Sequence, residues 1–210
     1  MSLPVDVFVS ALVTLLVIVD PPGCAPIFAG LTRNASPAER RAMAIRATLV
    51  AAGILLFFAV LGQPFLGALG IGLPAFSIAG GILLFLFATD MIFEKRTQRR
   101  EARARDLAAR EVEDVSVFPM AIPMIAGPGS ITTVMLLVAR ADGLWERAAV
   151  HLALAIVLGL TLGALLAARA LMNLLGERVE AMITRLLGVL LAALAAQIVV
   201  DGLKAAFPLA

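Results

Sequence analysis

Asp20 stands inside an apolar run covering residues 3–31 and is followed at once by Pro21-Pro22-Gly23-Cys24. An ionisable group within a membrane-length apolar stretch is costly to bury and marks a functional site by default. Proline removes a backbone donor and clashes with the preceding turn, and glycine frees the backbone, so the run is predicted to break here. Asp20 then lies at the C-terminal end of a first half-helix, where the helix dipole and burial both work against a negative charge. In that position it could carry a coupling proton or face a substrate ammonium. The alternative is a carboxylate satisfied by an arginine or by backbone groups of the break.

A second break is spelled by Gly127-Pro128-Gly129-Ser130, followed by Thr132 and Thr133. Backbone groups freed inside a membrane cannot face lipid, so they must be buried or line a wet cavity. Half-helices starting near Cys24 and Ser130 would present N–H groups and positive dipole ends at mid-membrane, which suits a carboxylate. The candidate substrate-binding set is therefore Asp20, Pro22, Gly23, Cys24, Pro128, Gly129, Ser130, Thr132 and Thr133, with Asp20 also the candidate for proton coupling. The plainer alternatives are two proline kinks that shape packing and threonines that bond back to their own helix.

Asp90 and Gln197 are secondary candidates, the first at a span end and the second as a glue between helices. His151 is alone. No nucleophile motif, phosphate loop or metal-ligand cluster is legible, which argues against an intramembrane enzyme and calls for no cofactor or metal. The single cysteine excludes an intramolecular disulfide. No Lys or Arg precedes the first apolar run, so the N-terminus does not read as a secretory signal.

The elements that must position these residues are membrane spans. Of 210 residues, 61% are apolar and 15% charged, well away from the roughly 45–50% and 25% of soluble domains. Runs of about 20 apolar residues make spans, and six are predicted, at 3–31, 45–61, 73–93, 117–139, 148–168 and 183–200. Gly62, Pro64, Gly70, Gly72 and Pro74 divide the long uncharged stretch between the second and third.

Residues 94–116 form a charged segment. Within it the bases and acids nearly cancel, so nucleic acid is not an indicated partner. The loops after spans 1, 3 and 5 carry four, seven and three Lys or Arg, against three on the other side (Arg140, Arg147 and Lys204). By the positive-inside rule the first side is cytoplasmic and both termini face outward. Trp145 then falls at the outer interface.

The halves 1–93 and 117–210 echo each other. Pro22-Gly23 lies over Pro128-Gly129, Gly81 over Gly188, Ala88 over Ala195 and Asp90 over Gln197. Three spans per half invert the second half in the membrane. The expected fold is thus an all-α membrane protein of six transmembrane helices in two inverted three-helix repeats, with helices 1 and 4 broken. Paired breaks at similar depth are the pattern of secondary transporters.

Asp20-Pro21-Pro22-Gly23-Cys24-Ala25-Pro26-Ile27-Phe28, with Leu31-Thr32, resembles the first signature of the MarC family. Phe118-Pro119-Met120-Ala121-Ile122-Pro123 and Ala126-Gly127-Pro128-Gly129-Ser130-Ile131-Thr132-Thr133 resemble its second. Ile78-Ala79-Gly80-Gly81 and Arg185-Leu186-Leu187-Gly188, with Gln197 and Gly202, resemble its third and sixth spans. Asp20 departs from the family's usual Asn, and Ser77 from an expected Arg. The resemblance implies a multi-pass protein of the bacterial inner membrane, akin to LysE-type amino-acid exporters, and a transporter of small neutral amino acids. The expected partners are the bilayer, a small-molecule substrate and, as a further candidate, a second copy of the chain. The rival reading is a non-transporting membrane scaffold or assembly factor that docks a partner on the 94–116 segment.

Overall fold

A computed structural model describes residues 4–93 and 114–207, apart from some side chains within α4 and the last helix. The described chain is helical, with no strand among the described residues. Its elements are α1 (Pro4–Val19), α2 (Pro21–Leu31), α3 (Pro37–Ala68), α4 (Leu73–Ile92), a loosely wound segment Ser116–Ile125, α5 (Pro128–Arg140), α6 (Gly143–Leu166) and α7 (Ala168–Ala206). Most of the charged 94–116 segment lies outside the described residues.

Four stretches are long and apolar enough to cross a membrane: Val5–Leu31, Pro37–Ala68, Gly143–Leu166 and Arg185–Ala206. Ser116–Ile125 and Pro128–Arg140 meet the same measure as a pair bent by 52°, and Leu73–Leu86 is apolar but shorter. Large apolar side chains such as Leu49, Val60, Leu83 and Leu152 face outward. This is the surface of a protein whose solvent is lipid.

Three boundaries differ from expectation, each for a local reason. The helix predicted to stop at Gly62-Gln63-Pro64 runs through Pro64 to Ala68. A proline inside a membrane helix is tolerated where packing holds the turn, and Gly62 sits against the Met135 side chain on α5. Its start is also earlier than predicted. Ser36 accepts from the Glu39 N–H while the Glu39 carboxylate accepts from the Ser36 N–H, and Pro37 follows at the first helical position. This is a capping box. The arginine-bearing stretch after residue 168, read as a loop, is the first part of α7. It has no proline and is rich in Ala, Leu, Glu and Arg, all good helix formers.

The first half of the fourth predicted span is not an α-helix. Phe118 and Ile122 are extended, with φ/ψ of −127°/126° and −125°/124°. Both precede a proline, which pushes the preceding residue out of the helical region. Long-reach bonds wind the segment instead, from the Met120 N–H to the Val115 carbonyl at 3.2 Å and from the Ala126 N–H to the Ala121 carbonyl at 2.9 Å.

The core forms in two parts. One gathers Leu15, Val19, Phe28, Leu55, Met120, Ile125 and Leu154. The other gathers Ile18, Leu84, Met91, Leu136, Leu191 and Ala195. α4 packs along α7, α1 and α2 along α6, and α3 along the 116–125 segment and α5.

Candidate functional site

The first break is a single residue in the left-handed region. Asp20 has φ 52° and ψ 65°, a conformation that Asp and Asn tolerate better than most residues. The Asp20 N–H still bonds the Leu16 carbonyl at 3.0 Å, and its own carbonyl accepts from the Cys24 N–H at 3.0 Å. The residue therefore ends α1 and caps α2 at once. Its carboxylate accepts from the Gly23 N–H at 3.1 Å and is 1% exposed. Sequence reasoning set this carboxylate against the negative end of α1; the structure turns it to the positive end of α2, where a negative charge is stabilised.

The backbone around it can be accounted for group by group. Pro21 and Pro22 have no N–H, so the carbonyls of Val17 and Ile18 lose their helical donors. The Gly23 N–H is held by Asp20, and the Cys24 thiol, fully buried, donates to the Val19 carbonyl at 3.4 Å.

The second break is built differently. Gly127 is extended, with φ −79° and ψ 169°, and α5 begins at Pro128 with no side chain capping its first turn. The Ile131 N–H bonds the Gly127 carbonyl at 3.0 Å. A Cβ at Gly127 would run into the carbonyl oxygen of Pro123, a backbone atom with no freedom to swing aside. The cap position is therefore closed to every residue that has a side chain.

The fold brings the two breaks together. A Cβ on Gly129 would lie 3.8 Å from Ile18 Cγ2, in the last turn of α1, and 2.7 Å from Leu84 Cδ2 on α4. Thr132 packs its methyl on Gly80 of α4, so it serves the helix interface. Ser130, Thr132 and Thr133 are buried, Pro128 is exposed, and Pro22 and Gly129 are half-buried. The Thr133 hydroxyl is buried without a hydrogen-bond partner among the described residues.

The secondary candidates lie elsewhere. Gln197 is exposed and donates to Asp201 at 2.7 Å, and Asp201 in turn pairs with Arg140 at 3.1 Å. Asp90 is near the end of α4, and its side chain lies outside the described residues.

The glycines that the repeat aligns in the third predicted span of each half sit at close helix contacts. A Cβ on Gly81 would lie 2.9 Å from the Ala195 carbonyl oxygen, and one on Gly188 would lie 3.2 Å from that of Ala88. Reasoning from sequence missed Gly127 as an enforced glycine. It also missed the wall formed by Ile18 and Leu84. The legible signal was the doubled Phe118-Pro119-Met120 and Ile122-Pro123-Met124 pattern, which rules out a regular helix ahead of the break.

Residues 5–207 match the family described as MarC family integral membrane protein. A UPF0056 membrane protein of Methanocaldococcus jannaschii is 37% identical over 202 residues, covering 95% of this chain and 97% of that one. The UPF0056 membrane protein YvbG of Bacillus subtilis is 36% identical over 208 residues, covering 99% and 97%. The UPF0056 inner membrane protein YhgN of Escherichia coli K12 is 34% identical over 198 residues, covering 93% and 95%. No solved structure matches the chain.

Proposed function

The chain belongs to the MarC family of integral membrane proteins, and from that premise we propose that it is a secondary transporter of small neutral amino acids or similar small zwitterions, with Asp20 coupling transport to protons. The observation that carries the reading is the approach of two helix breaks inside the molecule, with Ile18 Cγ2 before one lying 3.8 Å from where a Cβ on Gly129, after the other, would stand. Paired breaks that face each other are where secondary transporters hold their substrates. The small residues at the breaks, Gly23, Ala25 and Gly129, suit a small solute.

The packing supports two related halves of three spans each. α1 and α2 lie on α6 as the 116–125 segment and α5 lie on α3, while α4 lies on α7. Exchanging the halves exchanges the first two pairings and returns the third to itself. Gly81 approaches Ala195 as Gly188 approaches Ala88, the same pair of positions with the halves swapped. Such a pair of halves would rock about the breaks to alternate access.

Purified protein in liposomes is expected to move labelled glycine or alanine, faster under a pH gradient. Absence of flux for every small amino acid would overturn the substrate class. An undiminished response to the pH gradient after Asp20→Asn would overturn the coupling role while leaving transport standing.

A further inference from the structure

We propose that the substrate carboxylate binds at only one of the two breaks, on the first turn of α5 with the Thr133 hydroxyl, and that Asp20 is the chain's own equivalent of that carboxylate at the other. The ligand named here rests on the transport reading; the asymmetry of the breaks does not.

The two half-helix starts correspond position by position. Asp20 and Gly127 are the residues that cap α2 and α5, and Pro21 and Pro128 follow at the first helical position. The same offset carries Gly81 onto Gly188 and Gly23 onto Ser130, one residue beyond the Pro-Gly alignment read from sequence. At α2 the third residue of the turn, Gly23, carries its first N–H, and this donates to the carboxylate of Asp20. At α5 the cap position is glycine, the Pro123 carbonyl leaves no room for anything larger, and no side chain caps the turn. A helix start with its N–H groups uncapped and its dipole aligned favours an anion.

Thr133 is the second observation. Thr32, Thr48 and Thr161 each donate to the carbonyl four residues back, at 2.7, 2.9 and 2.7 Å. Thr133 does not, although it is only 2% exposed. A buried hydroxyl without a partner costs free energy, and in a native site it calls for a group from outside the chain. Thr133 lies one turn beyond Gly129, on the face that Gly129 turns to Ile18, and helical side chains lean toward the N-terminus. That lean carries the Thr133 side chain toward the uncapped turn.

The other pole of a zwitterion has its own counterpart. The carbonyls of Val17 and Ile18 are denied their helical donors by Pro21 and Pro22, and Ile18 is the residue that reaches Gly129. An ammonium there would be accepted by carbonyls while the carboxylate is held by α5. The ligand class is a short α-amino acid with one carboxylate.

Thermal melting in detergent with glycine, glycinamide and acetate tests the assignment. Glycine is expected to raise the melting temperature and glycinamide, which lacks a carboxylate, to leave it unchanged. Thr133→Val should weaken glycine binding by about tenfold or more, as loss of a hydrogen bond to a charged group does, and Thr133→Ser should restore it. The ligand-free protein should melt no lower as Thr133→Val, because the hydroxyl has no hydrogen-bond partner among the described residues; a merely structural hydroxyl would lower it. Ser130→Asp, which puts a tethered carboxylate in the same turn, should abolish the glycine shift. Unchanged glycine affinity in Thr133→Val, or glycinamide binding as well as glycine, would overturn the proposal. If no small amino acid binds or is transported, the transport reading fails, and acetate then decides the site: acetate stabilisation lost in Thr133→Val sustains it, and no acetate effect overturns it.

Discussion

The two breaks differ in how their second half-helices are capped. At the first, the half-helix is capped from its own sequence: the Asp20 carboxylate accepts from the Gly23 N–H, the Cys24 thiol donates to the Val19 carbonyl, and the Thr32 hydroxyl donates to the Phe28 carbonyl. At the second, a glycine cap leaves the half-helix without a side chain of its own, and the ends of the broken span are held by distant residues. Arg46 of α3 pairs with Asp114 ahead of the 116–125 segment, and Asp201 of α7 pairs with Arg140 at the end of α5. One break carries a side-chain cap from its own sequence. The other has no side-chain cap, and its first turn is therefore the one a ligand can act on.

Substitution at the two inner glycines should separate them most sharply. Gly127→Ala drives a Cβ into the backbone oxygen of Pro123, which cannot move without unwinding the segment. A loss of about 3 kcal/mol is expected, at the upper end for overpacking. Gly23→Ala first meets the Asp20 side chain, which can rotate away at the cost of a cap, about 1 kcal/mol. Chemical or thermal denaturation in detergent reads both. Equal losses would erase the distinction between an enforced glycine and a capped one.

The helices that do not break should behave alike in both halves. Gly81→Ala meets Val199 Cγ2 at 2.6 Å, and Gly188→Ala meets Met91 Cβ at 2.9 Å. Each is expected to cost about 2 kcal/mol, so the α4–α7 contact would prove symmetric where the breaks are not. A difference of more than about 1 kcal/mol between the two would mean that the halves diverge at their contact as well.

Removing the cap is a smaller change. Asp20→Ala should lose about 1–2 kcal/mol, whereas Asp20→Asn should lose only a few tenths, since Asn caps as well as Asp and tolerates the left-handed backbone. Asn thus separates capping from proton coupling: a stable Asn variant that transports without responding to pH assigns the proton to Asp20, and one that melts like the Ala variant shows that the charge itself holds the turn.

Much of this was legible in the sequence, for reasons that can be named. Pro-Gly pairs inside apolar runs announced both breaks, because proline's missing N–H acts wherever the chain goes. The close approach at Gly81 and Gly188 followed from a Gly-led repeat. What escaped was long-range or conformational. Asp20 could be placed at a break, but which helix end its carboxylate faces depends on a left-handed φ that Asp permits without demanding. Gly127 looked like one more flexible residue, and only the position of the Pro123 carbonyl makes it obligatory. Arg46 and Asp114 meet across a stretch of sequence that no periodicity spans.

That ion pair gives the smallest effect and still bears on the comparison. Arg46 and Asp114 are both substantially exposed, with side chains 58% and 44% accessible, so Arg46→Ala should cost less than about 1 kcal/mol. The Asp114 carboxyl is held below its ordinary 3.8 by its hydrogen bonding to Ser116 first and by Arg46 after that. A carboxyl depressed in the folded state stabilises it fully above the ordinary value, and that contribution disappears as the pH falls below 3.8 through the lowered one. Because the Ser116 N–H still donates to Asp114 at 3.0 Å without Arg46, the variant should keep part of this acid sensitivity, with its loss of stability shrinking as the pH falls below 4. The consequence for function is more telling than the consequence for stability. On the transport reading, Arg46→Ala should alter the rate of amino-acid transport more than its small effect on melting implies, and an unchanged rate would place the moving contact elsewhere.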